Sequence, residues 1–242
     1  MARRRSREGL FAGGRRFGAS LAERSAGVLS GLAILGAVML AAGCEDSAAR
    51  YNKSGLEAYR AGDYTQARAA FEEAIHNNPD NGDYYFNRGV AEQALGNLRP
   101  AIFNYDMAAK LNPGIVRAYQ NAAACYVQLG EPQKALAELE KGTQATPYNA
   151  QAFINLGKFY LSQGDMYNAK LAMAKAVAAD PDSAAAYRDY GHLLIQAGEK
   201  AKGIAHLKKS LQLEPIQPGL SAELSKLAPT GDQLPPPKPQ TK

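Results

Sequence analysis

The chain has 242 residues, 46% of them apolar and 21% charged, with no tryptophan; that is too apolar for a disordered polymer and ample for a buried core. The formal charge is +5, yet seven of the 28 basic and two of the 23 acidic side chains precede position 26, leaving 21 of each sign from Cys44 onward. A neutral main body lacks the concentrated basic face that releases counterions from phosphate backbones, which excludes nucleic acid as the partner.

The first 25 residues hold Arg3, Arg4, Arg5, Arg7, Arg15, Arg16 and Arg24, and the segment from Ala26 to Gly43 carries no charge. A basic segment, an apolar stretch and a small-residue exit (Ala41, Ala42, Gly43) are the three parts of an export signal. With Cys44 directly behind it, this exit resembles the lipobox of bacterial lipoproteins, although Ala41 stands where that family prefers Leu. The resemblance implies cleavage before Cys44, acylation of its thiol and a lipid tether to the membrane. Two other readings stay open. An uncut apolar stretch of this length spans a bilayer as a signal anchor, and the same small residues serve ordinary signal peptidase. All three place the remainder outside the cytoplasm. By analogy with enteric bacteria, Glu45 in place of Asp favours the outer over the inner membrane. Residues 1–43 are thus assigned to an export signal and 44–47 to a short linker.

Beyond it, five prolines recur at a spacing of 34: Pro79, Pro113, Pro147, Pro181 and Pro215. Seventeen residues before each stands a glycine: Gly62, Gly96, Gly130, Gly164 and Gly198. Twenty-eight before stands an aromatic: Tyr51, Tyr85, Tyr119, Phe153 and Tyr187. Eight before comes a large residue (Phe71, Tyr105, Leu139, Met173, Leu207), and five before a small one (Ala74, Ala108, Gly142, Ala176, Ser210). The central glycine divides each period into two stretches with apolar spacing near 3.6, which is the signature of a helix pair. Glycine ends the first helix and proline closes the second. One such pair cannot bury its apolar face alone, so neighbours stack into a continuous core.

This pattern resembles the tetratricopeptide repeat (TPR) family. Ser54-Gly55, Arg88-Gly89, Leu156-Gly157 and Tyr190-Gly191 match its Leu-Gly pair at the glycine. The third repeat departs, with Ala122-Ala123 there and Gly142 where Ala is usual. The resemblance implies an all-α fold: a right-handed α-solenoid of five TPR helix-turn-helix repeats over 48–217 (48–81, 82–115, 116–149, 150–183 and 184–217). Residues 218–229 read as a short C-terminal capping helix, with Leu220, Leu224 and Leu227 on one stripe. Residues 230–242, with Pro235, Pro236, Pro237 and Pro239, read as an extended Pro-rich tail.

In such a stack the first helices of the pairs line the inner face. Twenty-six residues before each proline lie Lys53, Asn87, Asn121, Asn155 and Asp189. An amide carries a donor and an acceptor and so grips a peptide backbone whatever its side chains. The family resemblance implies this role for Asn87, Asn121 and Asn155; the alternative is that they serve only the repeat itself, satisfied by neighbouring backbone. The same face should present Phe86 and Gln120, and towards its end Lys158, Arg188 and His192 beside Asp189. That gradient suits a ligand with apolar side chains at one end and a carboxylate at the other. The expected partner is a protein or peptide.

No catalytic chemistry is legible. His76, His192 and His206 are scattered without second ligands at metal spacing, and no phosphate loop or nucleophile elbow exists. Cys125 is expected to be a buried, inert thiol. The chain is therefore expected to be a non-enzymatic interaction scaffold of the bacterial cell envelope, without cofactor or metal. The alternatives are an accessory subunit of an envelope enzyme such as a glycosyltransferase, or a structural homo-oligomer.

Overall fold

A computed structural model describes residues 47–227. The export signal, the lipidation candidate Cys44 and the Pro-rich tail lie outside the described residues. The described residues form helices only: α1 (residues 47–60), α2 (Tyr64–Asn77), α3 (Gly82–Ala94), α4 (Leu98–Leu111), α5 (Val116–Gln128), α6 (Pro132–Ala145), α7 (Ala150–Ser162), α8 (Met166–Ala179), α9 (Ala184–Gln196), α10 (Lys200–Leu213) and α11 (Leu220–Leu227). None of these helices is long and apolar enough to cross a membrane.

The punctuation read from the sequence makes the turns. Each turn glycine has a positive φ, between 74° and 83°. The residue after it reaches back five positions to close the helix, as in Asp63 N–H to Ala58 at 3.0 Å and Glu199 N–H to Leu194 at 2.8 Å. This is the Schellman closure. At the other end, the residue before each periodic proline has left the helical region, for example Asn112, extended at φ −138° and ψ 92°. Proline forbids the helical region to the residue before it, so the second helix stops there. Asn81, Asn149 and Ser183 then cap the next helix with their side chains.

Small and large residues interlock across each pair. Phe71, Tyr105, Met173 and Leu207 lie against Gly55, Gly89, Gly157 and Gly191 respectively. The third pair inverts the device. Ala123 shares one apolar cluster with Leu139, and Gly142 on α6 receives the ring of Tyr119 from α5. The departures at Ala123 and Gly142 thus compensate each other. At the far end, Leu220 and Leu224 of α11 cover Leu207 and Leu211. The turn into α11 is fixed by buried Gln217, whose Nε2 donates to the Ser210 carbonyl at 3.0 Å and to that of Glu214 at 3.0 Å.

Packing follows chain order, each helix against the next, but α5 also touches α7 and α7 touches α9. Alternate helices can meet only on the shorter, inner side of a bent stack. The first helices of the pairs therefore line the inside of an α-solenoid.

Candidate functional site

The inner face is built by helical spacing on α3, α5 and α7, whose residues at i, i+3, i+4 and i+7 share a side. On α5 this strip is Arg117, Gln120, Ala124 and Val127. Gln120 is exposed, Ala124 half-buried and Val127 48% exposed, an unusual value for a β-branched apolar residue in a packed stack. Arg117 lies over the ring of Phe86 at 5.1 Å, which leaves Phe86 buried. Phe86 is thus covered rather than offered to a ligand. Arg117 and Val127 were not among the residues singled out from the sequence. They lie one turn before and two turns after Gln120, so the 3.6 period alone would have found them.

The asparagine column has two kinds of member. Asn87 Nδ2 donates to Asn52 Oδ1 at 2.8 Å, and Asn155 Nδ2 donates to Gln120 Oε1 at 3.1 Å. In both, the acceptor stands 35 residues earlier, on the first helix of the preceding pair. Asn155 also accepts from Gln151 Nε2 at 2.8 Å and is nearly buried. The residue 35 before Asn121 is Phe86, which has no acceptor, and Asn121 instead stands by the hydroxyl of Tyr105, where its amide partly offsets the effect of burial on that phenol. That hydroxyl donates in turn to Gln93 Oε1 at 2.7 Å. Burial raises the Tyr105 phenol far above its ordinary value, so it stays a neutral donor. The partners of these amides are side chains, not the backbone.

The residue 35 before Asp189 is Ile154, again without polar atoms. Asp189 instead takes Lys158 Nζ at 2.7 Å and Arg188 Nε at 3.3 Å. His192 Nε2 lies 3.1 Å from Glu223 Oε2 on α11. The charged end is therefore internally paired rather than open to an acidic ligand. Arg188 and His192 border a cleft of about 390 Å³ between α9 and the α10–α11 turn, which Glu214, Ile216 and Glu223 also line. Cys125 is fully buried and its thiol is pushed up to about 11 by burial, away from thiolate chemistry. Among the described residues no group of three or more His, Cys, Asp or Glu side chains could hold a metal.

Comparison with known proteins agrees with this geometry. Models of the tetratricopeptide repeat match residues 52–114, 116–149 and 150–183. No curated protein sequence matches. Among solved structures, MamA from Desulfovibrio magneticus RS-1 is 24% identical, with a TM-score of 0.52, over 72% of this chain and 98% of that one. TTC0263, a thermophilic TPR protein of Thermus thermophilus, is 21% identical with a TM-score of 0.54, over 74% of this chain and 98% of its own. Pseudomonas aeruginosa PilF is 20% identical with a TM-score of 0.57, over 76% and 86%. At such identities the likeness is one of fold. The last pair, α9 and α10, lies beyond the matched segments, yet it ends its first helix on the same positive-φ glycine, Gly198. The chain belongs to the tetratricopeptide repeat family, whose fold is a scaffold for protein–protein interaction.

Proposed function

We propose that this protein is a non-catalytic assembly scaffold of the bacterial cell envelope, tethered by lipid on Cys44, which holds an extended segment of a partner protein along the inner face of α3, α5 and α7. The observation that carries the proposal is the α5 strip, where a cation, an exposed amide and a half-exposed valine stand in line on the inside of the stack. The locked pairs Asn87–Asn52 and Asn155–Gln120 hold neighbouring repeats in register, so the face is rigid before any partner arrives. A preorganised groove loses little entropy on binding. Gln120 retains its amide N–H groups for a peptide carbonyl, and Val127 and Val90 supply apolar contact. Asn87 and Asn121 keep further hydrogen-bonding capacity, whereas Asn155 belongs to the stack itself.

The test is co-purification from the envelope of the producing cell. With Gln120→Arg, which fills the middle of the strip, a protein recovered in stoichiometric amount with the wild type should fall at least about tenfold. Undiminished recovery would contradict the proposed groove. The tether is tested apart from it: Cys44→Ser should move the chain from the membrane to the soluble fraction, and unchanged fractionation would refute lipidation.

A further inference from the structure

The first helices stand at a fixed step along the inner face, and hydrogen bonds limit its size. Asn87 Nδ2 on α3 reaches Asn52 Oδ1 on α1 at 2.8 Å, and Asn155 Nδ2 on α7 reaches Gln120 Oε1 on α5 at 3.1 Å. Two asparagine side chains joined in this way span at most about 10 Å from Cα to Cα. Helices in contact keep their axes about 8–10 Å apart. An inner-face position therefore recurs roughly every 9–10 Å, each time on the next first helix.

Apolar side chains stand at that step. Leu56 on α1, Val90 on α3 and Ala124 on α5 lie 34 residues apart and are all half-buried. Arg117, two turns before Ala124, lies over Phe86 and has no carboxylate paired with it among the described residues. A β-strand returns a side chain to one face every two residues, or about 6.7 Å. A polyproline II segment does so every three residues, or about 9.3 Å. Of these two, only the second keeps step with the first helices. An α-helix returns after seven residues, about 10.5 Å, but it satisfies its own backbone groups and would leave the Gln120 amide nothing to bond. Polyproline II has no internal hydrogen bonds, so its carbonyls are free for that amide.

We infer that the partner segment is a polyproline II stretch with an apolar side chain at every third position, seated in turn on Leu56, Val90 and Ala124, and with an acidic side chain beside the one on α5, facing Arg117. The inference rests on the inner groove proposed above and gives the sequence pattern of what that groove takes. Charge complementarity sets the acid, since an exposed cation without a partner attracts a carboxylate. The preformed polyproline II helix loses little entropy on docking.

The experiment reads fluorescence polarisation of labelled peptides against the full chain carrying Cys44→Ser, so that lipid on the chain plays no part. Repeating Leu-Pro-Glu triplets give the inferred pattern. Alternating Leu-Glu gives strand spacing, and Leu at heptad positions among Glu and Ala gives a helix. Repeating Leu-Pro-Lys reverses the charge. The Leu-Pro-Glu peptide should bind at least about tenfold more tightly than the alternating and heptad peptides. Ala124→Glu, which fills the seat on α5 and whose melting shows that it folds, should weaken that binding at least about tenfold. Arg117→Gln should weaken the Leu-Pro-Glu peptide and not the Leu-Pro-Lys one. If Leu-Pro-Lys binds as well as Leu-Pro-Glu, the acidic side chain is wrong. Tightest binding by the alternating or heptad peptide, lost in Ala124→Glu, would overturn the inferred pattern and leave the groove standing. No binding by any peptide, or binding that Ala124→Glu does not weaken, would also overturn the inference, and the Gln120→Arg co-purification then decides the groove separately.

Discussion

A methyl group added at Gly89 would lie 2.7 Å from the Tyr105 ring, and that ring cannot swing away because its hydroxyl is held by Gln93 at 2.7 Å. Gly89→Ala should therefore cost about 1–3 kcal/mol in urea unfolding, as overpacking does. Gly130 offers the opposite case. A Cβ there meets nothing within 4 Å, but φ is +74°. Gly130→Ala should cost about 1–2 kcal/mol from backbone conformation alone, and Gly130→Asn should recover part of it because Asn tolerates the left-handed region. If Asn proves no better than Ala, conformation is not the cause. Cys125 supplies a probe of the same core. With its thiol buried and pushed up to about 11, it should label at pH 8 only as fast as the stack opens. Both glycine classes were legible as periodic positions. Which of them meets a side chain and which meets open space was not, because period specifies place and not neighbour.

The last helix acts on its neighbours rather than on itself. Leu224 is almost wholly buried against Leu207 and Leu211, so Leu224→Ala should cost about 2–5 kcal/mol. In a stack with nearest-neighbour coupling the loss should fall chiefly on α9 and α10. Hydrogen exchange should accelerate there and spare α3 and α4; uniform acceleration would mean that the stack opens as one unit. Glu199 ties α8 to α10 through Lys170 and Lys202, whose hydrogen bonds lower its carboxyl to about 2 from an ordinary 4.5. A depressed carboxylate stabilises the fold above its unfolded value and ceases to do so as pH falls through the folded one. Stability that Glu199→Gln removes should thus be constant from pH 7 to about 5 and vanish towards pH 2. It should shrink in high salt, since the group is at the surface. The capping stripe was visible in Leu220, Leu224 and Leu227. The third pair's exchange of partners was visible only as two departures, Ala123 and Gly142, because the sequence does not say that Ala123 meets Leu139 of α6 while Gly142 meets Tyr119 of α5.

At the scale of the molecule, a fixed period of 34 residues determines an α-solenoid before any contact is known, since each pair can bury its face only on the next. The inner face was legible for the same reason: residues in register share a side. Its internal hydrogen bonding was not. Whether an inner-face polar residue is tied to the previous repeat depends on the residue 35 positions earlier, which is Asn for Asn87, Gln for Asn155, Phe for Asn121 and Ile for Asp189. That offset comes from the stagger of adjacent first helices, a packing quantity that composition and period leave undetermined. It also explains why the charged end pairs inward, Asp189 turning to Lys158 and Arg188 for want of an amide. If partners bind on the inside, the outer helices should be silent. The most direct measurement is photocrosslinking in the producing cell from a photoreactive residue at Gln120, compared with one at Ala137 on the exposed side of α6. Discrete adducts with another protein should form from the Gln120 position and not from the Ala137 position. Adducts of equal yield from both positions, or from the α6 position alone, would contradict the assignment of binding to the inner face.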